Sequence, residues 1–568
     1  MIVRPNPSHP HPRPQARRES VLSLNGLWDY AITKQPSPPE VYDGRILVPY
    51  SPESEASGVK RQLKADEYFH YRLRFSLPSH FSYERLLLHI DACDQICTVF
   101  FNGVEVMRHE GGYLPFVAEI TPLEGENEIT LLVTDNASSD VYARGKQKYE
   151  RGGIWYTAIS GIWQSVWLEG VPKDYIQSFR ITPDFAKKTF LVEAERTSPL
   201  PLTAKLYDGE LLLSEGEGDT VLLDASACKP WSPDEPELYR LVLSCGKDEI
   251  ESYAAMRSYS LVEKKGKKLL ALNGVPIFQN GLLDQGYWKE GIYTPPSAKA
   301  LLDELAAVKK LGFNMLRKHA KIEPMLYYHY CDCLGILVWQ DMVNGGGAYP
   351  LRRIYLGPFV NLHLNDRNYR SMRRSEASRK QYMRELEETI SHLYNVPCIC
   401  LWTPFNEGWG QFDAALIAKK VRSLDPTRLI DHASGWQDKG KGDLNSRHVY
   451  FRVRPLKGDN KRALALTEYG GYSYAVEGHT FAEKKFGYKG HSSKEDLQRA
   501  YRTLLTNQVF PFLKKGLCAT VYTQLTDVEE EVNGLFTYDR MLKFDEAFLQ
   551  EINGELYEKF EEEYPKNS

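Results

Sequence analysis

From about residue 261 onward, short apolar runs alternate with amphipathic segments, and this rhythm constrains the fold more than any other feature of the chain. Eight strand candidates occur there: "IFQNGLLD", "NMLRKHA", "GILVWQDM", "CICLWTPFNE", "RLIDHASG", "RHVYF", "ALALTEYG" and "ATVYTQLTD". Between several of them lie segments of helical period, notably "SAKALLDELAAVKKLG", "EASRKQYMRELEETISHLY", "QFDAALIAKKVRSL" and "SKEDLQRAYRTLLTNQVFPFLKK". Buried strands separated by helices are the pattern of a parallel sheet, and eight such units read as a (β/α)8 TIM barrel. In the fifth to seventh units no clear helical pattern separates the strands.

Upstream the period is two. "HYRLRFSL", "ERLLLHID", "CTVFFNGVEV", "NEITLLVTD" and "QSVWLEGV" alternate in and out, with an Asn102-Gly103 hairpin signal inside the third. These predict a jelly-roll β-sandwich over residues 1–172. Shorter strands such as "FLVEAERTS", "LTAKLYDGELLLS" and "LYRLVLSC" predict a small immunoglobulin-like β-sandwich over 173–260, which leaves 261–568 for the barrel.

Charge narrows the partners. With 71 basic against 75 acidic residues the net charge is −4, which argues against nucleic acid or an anionic membrane. No apolar run approaches the roughly 20 residues that span a bilayer. The stretch "MIVRPNPSHPHPRPQARR" lacks the apolar centre of a secretory signal, so a cytoplasmic location is expected. The nine cysteines include Cys331/Cys333 and Cys398/Cys400 but no zinc-type Cys-x-x-Cys, and they read as buried free thiols. No metal, cofactor or disulfide is expected, and a homo-oligomer is left open.

Barrel enzymes keep their chemistry at the carboxyl ends of the strands. Glu407 is expected just beyond strand four and Glu468 just beyond strand seven, each an acidic side chain at the end of an apolar run. Such a placement costs desolvation free energy unless the site uses the charge. Two carboxyl groups converging on one cavity suit glycoside hydrolysis, retaining at about 5–5.5 Å and inverting when a water fits between them. Sequence spacing leaves both distances open. It also leaves a non-catalytic carbohydrate-binding protein as a rival, although binding alone has no need of an acid and a nucleophile.

Over nearly its whole length the chain resembles glycoside hydrolase family 2, the group of β-galactosidases, β-glucuronidases and β-mannosidases. The resemblance is carried by "GGYLPFVAEIT" (111–121), "SGIWQSVWLEG" (160–170), "LGFNMLRKHA" (311–320), "CDCLGILVWQDM" (331–342), "WTPFNEG" (402–408) and "TEYGG" (467–471) in that order. It implies a retaining, exo-acting hydrolase acting on a carbohydrate, with Glu407 as general acid/base and Glu468 as nucleophile. It also implies that Asn406 bonds the sugar 2-hydroxyl. Tyr450 is expected to hold Glu468, and His319 to contact substrate or orient Glu407. Asp284 and Asp341 end strands one and three facing the mouth; Trp436 and Trp288 are candidate stacking platforms. The long arginine-rich stretch 344–374 is expected to shape the pocket.

Departures from the family pattern bear on metal and sugar. Some members bind magnesium through Glu-x-His after strand three; here Asp341-Met342-Val343 has no imidazole, so no catalytic metal is expected. Trp155 stands five residues before Ser160, where many relatives carry a substrate-binding aspartate. The Asn-x-Lys that glucuronidases use for the sugar carboxylate occurs nowhere in the chain. A neutral terminal sugar is therefore expected, a β-galactoside or α-L-arabinoside ahead of a β-glucuronide, with β-galactofuranoside an outlier.

Overall fold

The structure, a computed structural model, describes residues 4–347, 365–367, 369, 373, 375–450 and 454–566. Most of the 344–374 stretch singled out above thus lies outside the described residues.

The first β-sandwich packs a four-stranded sheet, in the order Val21–Ser23, Val166–Val171, Arg85–Ile90, Phe116–Ile120, against a six-stranded one. Its core is made by alternate residues of facing strands, among them Trp28, Phe69, Tyr71, Leu88, Val99, Leu131 and Leu168. The hairpin between Ile96–Phe101 and Val104–Glu110 turns at Asn102 and Gly103, both at positive φ (49° and 80°), as that dipeptide demands. A second sandwich pairs a three-stranded sheet starting at Ile176–Asp184 with a four-stranded one ending at Asp248–Ala254.

The barrel strands run in chain order Gln279–Asp284, Met315–Lys318, Leu337–Asp341, Ile399–Thr403, Leu429–Ile430, Leu444–Val449, Ala463–Gly470 and Leu517–Thr523. All neighbours pair in parallel except the fifth and sixth, which form no ladder. That seam is closed instead by Asp443, whose N–H donates to Ile430 O (2.8 Å) while its carboxylate accepts from Ile430 N (2.8 Å). No helix separates the fifth, sixth and seventh strands among the described residues, so their sequence lacked a helical rhythm for a structural reason.

Elsewhere the helices follow their patterns. Glu376–Leu393 buries Ser378, Gln381, Tyr382, Leu386, Thr389, Ile390 and Leu393, a stripe at three- and four-residue spacing. Ser297, Ser375 and Ser493 cap three helices by accepting from Ala300 N, Ser378 N and Asp496 N. No described helix is long and apolar enough to cross a membrane.

One excursion of the first sandwich matters for the site. The segment 135–160 leaves its sheets, pairs Gln147–Lys148 with Tyr156–Thr157, and lies on the barrel mouth. Arg144 N and Gly145 N donate to Asn344 O (both 2.9 Å). Three consecutive glutamates after strand eight clip its far side: Thr157 N donates to Glu529, Gly153 N to Glu530, and Tyr156 OH to Glu531.

Candidate active site

Strand four is buried throughout, and its exit is tightly specified. Ser434 N donates to Phe405 O and Glu407 N to Ser434 O (both 2.8 Å), zipping Asn406-Glu407 to the loop after strand five. Glu407 itself adopts φ +53°, which few non-glycine residues do, and Gly408 (+79°) and Gly410 (+65°) continue the turn. A Cβ on Gly408 would meet Gln437 Cγ at 2.7 Å, and one on Gly410 would meet Gly345 O at 2.5 Å. Asn-Glu-Gly-x-Gly is thus a strand that turns sharply and points one carboxylate into the mouth.

Glu468 belongs to strand seven and is buried. Arg317 Nη1 donates to its Oε1 (3.1 Å), and Tyr450 OH donates to the other oxygen. Arg317, fully buried on strand two, also clasps Asp341 through Nε and Nη2 (3.0 Å each) and donates through Nη2 to Asn406 Oδ1 (2.9 Å). Because the Asn406 oxygen is engaged, its amide N–H2 is left as the group to present to a ligand. Asp341 also takes the Nδ1 proton of His319 (2.7 Å). His319 Nε2 is buried and among the described residues has no hydrogen-bond partner; with Nδ1–H committed, it is an acceptor waiting for a donor.

One oxygen of Glu407 lies within 4.8 Å of an oxygen of Glu468. The two carboxyls sit in opposite environments. Burial pushes Glu407 above the usual glutamate value; a hydrogen bond from His448 works against this, and the charge of Glu468 adds to it. Burial also opposes ionisation of Glu468, but His448, Arg317, His319 and Lys146 outweigh it and hold the carboxyl at about 2. One group is poised to carry a proton and the other to be bare.

The remaining expected residues separate into two groups. Trp155 stacks at a tilt on Trp409, two residues beyond Glu407, with ring centroids 5.3 Å apart, and Trp436 meets His448 edge-on at 5.5 Å. Asp284 instead gives its oxygens to Gly286 N, Lys318 and Tyr327 OH, and Trp288 lies under the Arg540 guanidinium on a groove of about 440 Å3 beside Tyr287, Phe481 and Tyr538. Neither touches the Glu407–Glu468 pair. Asp341 has both oxygens taken by Arg317 and His319, which is not the open carboxylate a hydrated magnesium ion requires.

Three further residues frame the pair. Arg317 is on strand two and His319 follows just past its end, and a buried arginine in a strand must have a carboxylate partner, which is the signal that marks it. His448, near the end of strand six, bonds Glu407 Oε1 through Nδ1 (2.9 Å) and lies two residues before Tyr450, which follows the strand. Lys146, from the arm, has its ammonium near the faces of Trp409 and Tyr156 (5.7 and 5.8 Å) and among the described residues has no hydrogen-bonded or ion-paired acceptor. Nothing in its sequence setting marks it.

Comparison with known proteins bears on this array. Residues 267–463 match the TIM barrel domain of glycosyl hydrolases family 2. A β-galactosidase of Lactococcus lactis is 27% identical over 380 residues, covering 62% of this chain and 34% of that protein. A β-glucuronidase of Paenibacillus borealis is 23% identical over 458 residues, 71% of this chain and 74% of its own length. This chain spans about a third to a half of the β-galactosidases it matches, 36% of the Aeromonas hydrophila protein and 54% of the Thermoanaerobacter pseudethanolicus one. Among solved structures, a β-D-glucuronidase of Dictyoglomus thermophilum superposes with TM-score 0.75 at 18% identity, covering 97% of this chain and 99% of that one. A β-galacturonidase of Eisenbergiella tayi gives 0.71 at 17% identity, covering 98% and 99%. The two sandwiches, the barrel and the matching of its central stretch agree in supporting glycoside hydrolase family 2, whose TIM barrel domain residues 267–463 match.

Proposed function

We propose that the protein is a retaining, exo-acting O-glycoside hydrolase working by double displacement. The observation that carries this is the Glu407–Glu468 pair: oxygens within 4.8 Å of each other, one carboxyl raised and the other held at about 2. That spacing suits a nucleophile and an acid/base, and leaves too little room for the water of an inverting enzyme. In the first half Glu468 attacks the anomeric carbon as Glu407 gives its proton to the leaving oxygen. In the second, water attacks the same carbon, the bond to Glu468 breaks with its electron pair returning to the carboxylate, and Glu407 takes the water proton. Asn406 N–H2 would meet the 2-hydroxyl, and His319 Nε2 would accept from a sugar hydroxyl. The arm bearing Trp155 walls one side of the mouth, which suits a terminal sugar.

For the sugar, the absent Asn-x-Lys and the apolar Trp155 support a neutral glycone, a β-galactoside or α-L-arabinoside, with β-galactofuranoside as an outlier. A uronide is the second reading, and one observation favours it: Lys146 brings to the edge of the site a cation that no carboxylate among the described residues ion-pairs, where a sugar carboxylate would pair with it. The similarity to a β-glucuronidase and a β-galacturonidase points the same way.

A nitrophenyl glycoside panel decides between them. Highest efficiency on β-galactoside or α-L-arabinoside supports the first reading. Highest efficiency on β-glucuronide or β-galacturonide, with on the order of 10- to 100-fold lost in Lys146→Met, establishes the second. Trapping with a 2-deoxy-2-fluoro glycoside should label Glu468; a label elsewhere, or none with any sugar of the panel, removes the retaining assignment.

A further inference from the structure

His448 is tied at both ends of its ring to the reacting groups. Nδ1 lies 2.9 Å from Glu407 Oε1, and Nε2 lies 3.0 Å from Ser434 Oγ and 3.7 Å from Glu468 Oε1. The side chain is fully buried, with Trp436 standing edge-on against it. The backbone makes room for the pair. Gly435 takes φ +89°, and a Cβ there would lie 3.1 Å from His448 Nδ1 and 3.4 Å from Glu407 Cγ, tight enough to displace one or the other. The double displacement outlined above uses Glu407 twice, as acid and then as base, and gives the imidazole no part.

We propose that His448 is a positioning residue that shares the Glu407 proton through Nδ1 and keeps that carboxyl able to serve as the base of the second displacement. The inference rests on the retaining reading. A buried carboxyl tends to stay protonated, which favours donation to a leaving group; the charge of Glu468 is gone once the glycosyl-enzyme has formed, but the burial remains and hinders removal of a proton from water. An imidazole N–H aimed at Glu407 stabilises its ionised form and opposes that bias, as the local electrostatics bear out. Ser434 anchors the far nitrogen, and its own hydroxyl is held by Thr467 (3.0 Å) and Ser446 (3.3 Å), so the ring cannot swing away without breaking that network. Other charged or titratable groups around it are Glu468 with Arg317 behind it, Asp431 just after strand five, Tyr450 just after its own strand, and Lys146 from the arm.

Two amide substitutions separate the ring's contacts. In His448→Asn the amide nitrogen falls near the position of Nδ1 and keeps a donor for Glu407. In His448→Gln it falls near Nε2, keeps Ser434 and loses Glu407. With a dinitrophenyl glycoside, His448→Gln should release a burst of phenol and then turn over on the order of 10- to 100-fold more slowly. The slow phase should recover as pH rises through the elevated Glu407 value, and added azide should speed it. His448→Asn should turn over faster than His448→Gln and show the smaller burst. Equal losses in both variants, with no burst and an unshifted pH profile, would show a merely structural histidine; wild-type kinetics in His448→Gln would show no role at all. Trapping of Glu468 in the wild type tests the retaining reading separately, so its failure is distinguishable from failure of this inference.

Discussion

Strand two and the residues just after it send alternate side chains into two buried ion clusters, and they differ in one respect. Lys318 pairs with Asp284 (2.6 Å) and Glu323 (2.8 Å), and Lys321 joins Glu323 (2.9 Å) and the carbonyls of Gly286 and Tyr293. Tyr327 OH and Gly286 N complete Asp284. That cluster is closed upon itself. Arg317 and His319 enter the other, with Asp341, Asn406 and Glu468, where His319 Nε2 is unpartnered among the described residues and the Asn406 amide is turned outward by the bond to its oxygen. Both clusters are buried and both hold carboxylates, so burial does not tell them apart. What separates a supporting cluster from a working one is whether its hydrogen-bonding capacity is used up.

The sharpest break of this comparison comes from removing Glu468. Glu468→Gly should lower turnover on the order of 10^4-fold or more while the fold persists, because in the proposed mechanism Glu468 is the nucleophile and glycine offers none in its place. Azide should restore part of the activity by forming the glycosyl azide of opposite anomeric configuration, read by NMR. Appearance of the same anomer would place the nucleophile elsewhere. Glu407→Ala should cost about 10^2- to 10^4-fold on a poor leaving group and far less on dinitrophenolate, since only the former needs protonation. Equal losses on both leaving groups would strip Glu407 of the acid role.

A change in the closed cluster should do the reverse. Lys318→Met leaves Asp284 and Glu323 buried without their shared cation, a loss of about 3–5 kcal/mol in stability, seen as a lower unfolding temperature. Activity per folded molecule should hardly change. If kcat falls while stability holds, Asp284 regains the substrate-binding role expected for it.

These contrasts bear on how much could be read before any coordinates. Glu407 and Glu468 stand out because an acidic residue closing an apolar strand is costly, and the Asn-Glu-Gly-x-Gly run carries the glycines its turn needs. The helix of residues 376–393 is written in its own spacing. The fifth strand is only Leu429–Ile430, and with no helix beside it local periodicity has little to register. Asp284 and Asp341 look alike, each an aspartate ending a strand, and only tertiary contacts show one held by lysine and the other by arginine and histidine. Arg317 and His448 were legible in part, through burial and through alternation with His319 and Tyr450. Lys146 was not, since its meaning comes from an arm that crosses from another domain.

The opposite environments of the two carboxyls set a pH profile. The activity-linked ionised form of Glu468, with its value at about 2, is fully present above the ordinary glutamate range and is lost only as pH falls toward that value. The protonated form of Glu407, whose value is raised, is present below its folded-state value and lost as pH rises through it. The profile of kcat/KM should therefore be a broad plateau with its acid limb below the ordinary glutamate range and its alkaline limb above it. Arg317→Gln removes a cation from Glu468 and should move the acid limb upward, leaving the alkaline limb in place. Movement of the alkaline limb alone would reverse the assignment of the two carboxyls.

The smallest expected effect is that of chelation. A hydrated magnesium ion beside the acid/base would need an open carboxylate on strand three, and the only acidic group there, Asp341, has both oxygens committed to Arg317 and to the Nδ1 proton of His319. Val343 occupies the position where an imidazole ligand would stand and is itself buried among apolar residues. A cation entering that space would meet the Arg317 guanidinium, which already pairs with Asp341 and Glu468; a positive charge is thus supplied there by a side chain that cannot be extracted. Dialysis against EDTA should leave kcat and KM unchanged, and added magnesium should do nothing further. A large loss that magnesium restores would mean that Arg317 moves aside in the working enzyme, and the distinction drawn between the open and closed clusters would have to be redrawn around a metal.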